Sequence, residues 1–275
     1  MRDVVENVIA KATYNITEGD YVGEDGLYRC GKCHSRKQTY FTGLGDKRLV
    51  PCVCECEAAE RKAEEDARKH RELVIRLRKK CFSNPKMTEW TFANDDGLTP
   101  KYINAMKNYV ENFDTFKEEG KGVLLFGGVG NGKTYLTACV ANALINKGVP
   151  CIFKNFRDIE NDLKDAYGET KKYLEYLNTF PLMVLDDLGA ERNTEYMQKD
   201  IVYAIIDARY RAGLPVLVTS NYTKEELLNP TDIAQQRIFS RLFGMCTPIR
   251  VEGKDRRVMA LKDDIVETKS ILGLE

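Results

Sequence analysis

No stretch of the 275-residue chain approaches the ~20 consecutive apolar residues of a membrane-spanning helix, and the first ten residues, MRDVVENVIA, hold no long apolar core. The expectation is a cytoplasmic protein with no membrane partner. Net charge is missing as well, since 42 lysines and arginines balance 42 aspartates and glutamates. The total therefore gives no sign of a nucleic-acid partner, and any basic surface has to be local. Internal repeats are absent. With 43% hydrophobic and 31% charged residues, the chain has the balance of a folded protein rather than a disordered one. Its length suffices for one sizeable domain and a smaller one.

Nine cysteines would suggest disulfides in an oxidising compartment, but five of them cluster, as CGKC (Cys30, Cys33) and CVCEC (Cys52, Cys54, Cys56). In a reducing compartment such clustering points to metal. Zinc in a structural site takes four thiolate or imidazole ligands, and these five cysteines and His34 are more than enough. The first choice is Cys30, Cys33, Cys52 and Cys54, with Cys56 a close substitute for either of the last two. The scattered Cys81, Cys139, Cys151 and Cys246 read as small core residues.

Three parts follow along the chain. Residues 1–80 combine the turn-rich cysteine stretch with a helix predicted over 57–80, acidic at its start and basic in its last turn, RLRKK, as the helix dipole favours. Residues 81–98 read as a link. Residues 99–275 form the larger domain, opening with Thr99 as a cap and Pro100 at the first helical position. Tyr102, Ile103, Met106, Tyr109, Val110, Phe113 and Phe116 then recur at helical spacing. Short apolar runs at 122–126, 151–154, 182–186, 215–220 and 246–251 alternate with helical patterns, the signature of an α/β fold with a parallel sheet covered on both faces.

The first of these runs leads into GGVGNGKT, residues 127–134, a match to G-x-x-x-x-G-K-[ST]. Such a match arises by chance in about one per cent of chains this long. Glycines let backbone N–H groups wrap phosphates, and the following helix N-terminus adds partial positive charge. Gly128, Val129, Gly130, Asn131 and Gly132, with Lys133, Thr134 and Tyr135, are the expected ATP contacts. Lys133 would reach the β- and γ-phosphates and the Thr134 hydroxyl would bind Mg²⁺. Further on, LMVLDD ends an apolar strand on two carboxylates. Asp186 is placed to hold Mg²⁺, and Asp187 to orient water toward the γ-phosphate.

Together, LFGGVGNGKTYL, LMVLDDLGAE, IIDARYRAGLPVLVTSNY, RIFSRLFGMC and VEGKDRR resemble the AAA+ ATPases of the DnaC/DnaI helicase-loader and IstB transposition-helper group, over roughly residues 88–260. The resemblance implies a five-stranded sheet of order 5-1-4-3-2. It implies that Asn221 is a sensor contacting the γ-phosphate or its water, that Arg241 is an arginine finger acting on a neighbouring subunit's nucleotide, and that Arg257 is a second sensor, with Arg256 the fallback. Many related ATPases carry glutamate where Asp187 stands. The stretch after Asn221 is too short for a full helical lid, as in loaders of this group.

Cysteine-rich N-terminal modules occur in DnaI-like loaders, where they contact the helicase. The resemblance thus implies an ATPase using ATP, Mg²⁺ and Zn²⁺ to place a replicative DnaB-type helicase on single-stranded DNA, as a homo-oligomer when assembled. The alternative is an IstB-like ATPase regulating a transposase. CIFKNFRDI, with Phe153, Lys154, Phe156 and Arg157, offers stacking and phosphate contact to DNA, although Phe153 fits a buried strand better.

Overall fold

The computed structural model describes residues 16–43, 46–165, 169–189 and 196–256, with scattered positions between 258 and 274. The chain divides into two compact units, Met1–Glu72 and Leu73–Glu275.

In the first unit, Tyr21–Val22 (β1) pairs antiparallel with Tyr28–Arg29 (β2), and Gln38–Gly43 (β3) with Asp46–Pro51 (β4). The helix expected over 57–80 runs Glu55–Cys81 (α1), with Glu55 and Glu57 in its first turn and Arg78, Lys79 and Lys80 in its last. Most of its length is exposed, held by i,i+4 pairs such as Arg61–Glu57 and Lys69–Glu65.

The second unit begins inside α1, whose Leu77 and Cys81 are buried. Residues 81–98, read from sequence as a link, send Phe82 and Met87 into the same core through short 3₁₀ turns. Asn142 fastens them by donating to the carbonyls of Met87 and Trp90 at 2.8 and 2.9 Å. The helices Pro100–Glu111 (α2) and Phe113–Glu118 (α3) follow and bury the predicted Ile103, Met106, Tyr109, Val110 and Phe113.

The sheet contains Gly122–Phe126 (β5), Cys151–Asn155 (β6), Leu182–Leu188 (β7), Val216–Ser220 (β8) and Cys246–Arg250 (β9). All its pairings are parallel, in the order β6-β7-β8-β5-β9. Read from the β9 edge and numbered within the sheet, that is 5-1-4-3-2, as the family resemblance implied. Between the strands run Lys133–Asn146 (α4), Phe156–Asp165 (α5), Thr170–Leu177 (α6), Tyr196–Arg211 (α7), Lys224–Leu228 (α8) and Ile233–Met245 (α9). Successive strand residues face opposite sides, and each side has its own core. Val123, Leu125, Phe153, Val184 and Leu217 pack with α2 and α4, whereas Leu124, Phe126, Ile152, Met183 and Val218 pack with α7 and α9.

The scattered Cys81, Cys139, Cys151 and Cys246 are buried among these residues, as expected. Burial pushes the last three thiols up to about 12, so they are inert as nucleophiles. Among the described residues no helix is long and apolar enough to cross a membrane.

Candidate ATP site and cysteine module

The phosphate loop leaves β5 at Gly127, whose φ of +135° suits glycine. A Cβ there would also stand 2.5 Å from the carbonyl oxygen of Val251. Gly132, at φ +90°, is the N-cap of α4, so the helix starts with Lys133 aimed back over the loop. The Lys133 ammonium is only 7% exposed as a residue and donates to the carbonyls of Gly127 (3.0 Å) and Gly128 (2.6 Å) and to Asn131 Oδ1 (3.1 Å). Asn131 in turn donates to Val251 O at 2.5 Å, and Arg256 N–H donates to Gly130 O at 2.9 Å. The chain after β9 is thereby bound along the loop.

Opposite the loop, β7 departs from regular pairing. Leu185 is in register with Val218, but the next pair is Leu188 with Ser220. Asp186 and Asp187 therefore share Thr219 as their single opposite residue, which is a β-bulge. Asp187 sits at φ +61°, a left-handed conformation that costs an aspartate about 1–2 kcal/mol when unsupported. Support comes from β8 and the residue after it: Thr219 Oγ1 accepts from Asp187 N–H at 2.8 Å, and Asn221 Nδ2 donates to Asp187 Oδ1 at 2.7 Å. The Thr219 hydroxyl donates to Asp186 Oδ1 at 2.7 Å, and the Thr134 hydroxyl also hydrogen-bonds Asp186. Burial pushes the Asp186 carboxyl above the usual carboxylate range, against which these two hydroxyls and Lys133 work. The bulge thus brings together most of the predicted constellation: Asp186 with Thr134, and Asp187 with Asn221. Thr219 had no role assigned from sequence, although it lies within the quoted VLVTSN.

Arg257 lies outside the described residues. Its neighbour Arg256 packs against the loop, with its guanidinium 3.2 Å from where a Gly132 Cβ would stand. Arg256 bonds Thr99 Oγ1 at 2.6 Å and Asp96 at 3.3 Å. Thr99, expected to cap α2, makes no side-chain cap bond and spends its hydroxyl on Arg256. Arg241, on α9, donates through Nε to Asp207 Oδ1 at 2.9 Å and lies over the Tyr210 ring at 4.8 Å. One turn earlier Arg237 lies 4.2 Å over the Tyr203 ring. In the CIFKNFRDI stretch Phe153 is buried, as expected, and Lys154 is paired with Asp162 at 2.8 Å. Arg157 is exposed.

In the first unit the Sγ atoms of Cys30, Cys33, Cys54 and Cys56 all lie within 4.8 Å of one another. A tetrahedral Zn–S₄ site with 2.3 Å bonds needs sulfurs about 3.8 Å apart, so the set fits zinc. Cys52, a first choice from sequence, is displaced by Cys56. It sits just after β4, where its N–H donates to Lys37 O and its thiol to Arg36 O at 3.3 Å, away from the cluster. Cys54 precedes α1 and Cys56 lies in its first turn, so the helix start folds both toward the 30–33 turn. That turn is braced by Asp20, which accepts from Gly31 N–H at 3.1 Å. The backbone N–H groups of Cys33 and Lys32 pull the Cys30 thiol down, and Ser35 heads the donors that bring Cys33 to about 6. His34 is instead bonded to Tyr21 through Nδ1 at 3.1 Å.

A family model described as IstB-like ATP binding protein matches residues 37–262. The chain belongs to this family. Among curated proteins, the replicative helicase loader DnaI of Bacillus subtilis is 27% identical over 196 residues, 66% of this chain and 62% of that protein. The replicative helicase loader DnaC of Escherichia coli is 26% identical over 144 residues, covering 51% of this chain and 56% of its own length. A putative insertion sequence ATP-binding protein of Sinorhizobium fredii is 28% identical over 176 residues, 63% of this chain and 55% of that protein. This IstB-like chain thus spans less than two thirds of the curated relatives it matches. Among solved structures, a crystal structure of DnaI shares 28% identity at a TM-score of 0.52, covering 66% of this chain and 99% of that one. One of the DnaC helicase loader shares 25% at 0.52, covering 62% and 100%.

Proposed function

We propose that this IstB-like protein is a Mg²⁺-dependent ATPase that loads a replicative DnaB-type helicase onto single-stranded DNA. The observation that carries the ATPase part is the convergence of Lys133, Thr134, Asp186, Asp187 and Asn221 at one end of the sheet. In this reading Lys133 exchanges its loop carbonyls for phosphate oxygens, and Gly128–Tyr135 wrap the phosphates. Thr134 and Asp186 hold Mg²⁺, which neutralises charge on the β- and γ-phosphates. Asp187 orients the attacking water, Asn221 contacts it or the γ-phosphate, and Arg241 reaches a neighbouring protomer's nucleotide. The second-sensor role falls to Arg256 or Arg257. Arg256 is supported by its place against Gly132.

The loader role draws on the similarity to DnaI and DnaC and on the four-cysteine module, proposed as a zinc-dependent helicase-binding domain. One zinc per chain is expected by elemental analysis. It should be retained in Cys52→Ser and lost in Cys56→Ser and in the Cys30→Ser/Cys33→Ser double variant. Structural zinc contributes folding energy outright, so proteolysis should then digest the N-terminal unit and spare the ATPase unit. Zinc retained in Cys56→Ser but lost in Cys52→Ser would reverse the ligand assignment.

The family model and the Sinorhizobium fredii relative favour a second reading, an ATPase that regulates a transposase. Co-purification separates the two. The zinc-loaded chain with ATP should retain the replicative helicase of its own host, and the Cys30→Ser/Cys33→Ser variant should not. The chain should also speed deposition of that helicase on closed circular single-stranded DNA. Retention of a transposase in place of the helicase would replace the loader reading.

A further inference from the structure

On a regular strand two adjacent residues face opposite sides of the sheet, so Asp-Asp at a strand end would aim one carboxylate at the phosphate loop and the other away. The bulge removes that alternation, and one hydroxyl occupies the position facing both residues. Thr219 Oγ1 has a single proton, committed to Asp186 Oδ1, and it accepts from the Asp187 N–H. Thr219 is 1% exposed, so water does not compete for either bond. Two residues further along the chain, Asn221 grips the Asp187 carboxylate.

We propose that Thr219 is a positioning residue for ATP hydrolysis: its hydroxyl fixes the Asp186 carboxylate and the Asp187 backbone relative to each other, so that metal holding and water orientation occur in register. The proposal rests on the roles given above to Asp186 and Asp187. Thr219 itself touches neither nucleotide nor metal in this scheme.

Valine and serine divide the two properties of threonine. Thr219→Val keeps the branched shape in the core and removes both hydrogen bonds. Thr219→Ser keeps the hydroxyl and loses only a methyl. Two measurements are made on the full chain: Mg²⁺ titration of ATP binding, and kcat and KM at saturating Mg²⁺. Partners that orient a metal ligand are typically worth about 10–100-fold in metal affinity or activity. Thr219→Val should accordingly need about tenfold more Mg²⁺ for binding and lose about 10–100-fold in kcat, with KM for ATP changed only a few-fold. Thr219→Ser should restore most of both. In an Asp187→Asn background Thr219→Val should cost much less in kcat, because the two act on one step. Wild-type kcat and Mg²⁺ dependence in Thr219→Val would overturn the proposal, as would a serine variant as impaired as valine. A wild-type chain that binds no Mg²⁺-ATP would instead bring down the ATPase reading, and this role with it.

Discussion

Asp187→Asn is expected to bind ATP within a few-fold of wild type and to hydrolyse it about 10²–10⁴-fold more slowly, the usual worth of a positioned general base. Asparagine is the right probe for structural reasons. It tolerates the left-handed φ of +61° that Asp187 adopts at least as well as aspartate does. Its side-chain oxygen can still accept from Asn221 Nδ2, so the 2.7 Å bond survives. Its backbone N–H still reaches Thr219. What disappears is the negative charge proposed to orient the attacking water, while Asp186 and its two hydroxyl partners are untouched. Phosphate release in a single turnover, set beside equilibrium binding of a fluorescent ATP analogue, measures the two quantities separately. Hydrolysis at the wild-type rate would remove Asp187 from the mechanism.

Arg241→Ala should leave ATP affinity of the isolated chain intact and abolish the acceleration proposed for assembled protomers, a loss of about 10³–10⁵ if the residue acts as arginine fingers do elsewhere. Within one protomer the guanidinium is already oriented. Its Nε is bonded to Asp207, which also holds Arg211 at 2.7 Å, and its Cζ lies 4.8 Å from the centre of the Tyr210 ring. The Asp207 carboxylate holds the Arg241 pKa above its ordinary value, so the charge is permanent. Nε is committed to Asp207 and the guanidinium also hydrogen-bonds Tyr203, which fixes its orientation within the protomer. The decisive measurement mixes Arg241→Ala with Lys133→Ala, each inactive alone. In mixed assemblies an intact Arg241 can face an intact phosphate loop, and activity should return with a maximum at intermediate ratios. Mixed assemblies that form yet stay inactive at every ratio would show that Arg241 does not work across the interface.

The elements that could be read from sequence are those set by local pattern. All five sheet strands lie where apolar runs predicted them, and the phosphate loop sits between a strand and a helix as its motif requires. The helix from Glu55 was visible in its charge gradient. The failures concern long-range register. Nothing within LMVLDD reveals that β7 carries one residue more than β8 opposite Thr219, so the shared hydroxyl was invisible. The choice between Cys52 and Cys56 depended on where β4 stops and α1 starts, since a two-residue shift moves a thiol out of the cluster. Thr99 looks like a local cap in sequence because its partner, Arg256, is 157 positions away.

The chain after β9 is laced to the phosphate loop. Val251 donates to Phe126 O at 2.8 Å and accepts from Asn131, and Arg256 donates to Gly130 O. A glycine-rich loop has little stiffness of its own, so part of its shape is borrowed from this tail. The phosphate loop and residues 251–256 are therefore mechanically joined. A displacement of residues 251–256 would therefore be felt in the loop walls, through the bonds to Phe126, Gly130 and Asn131.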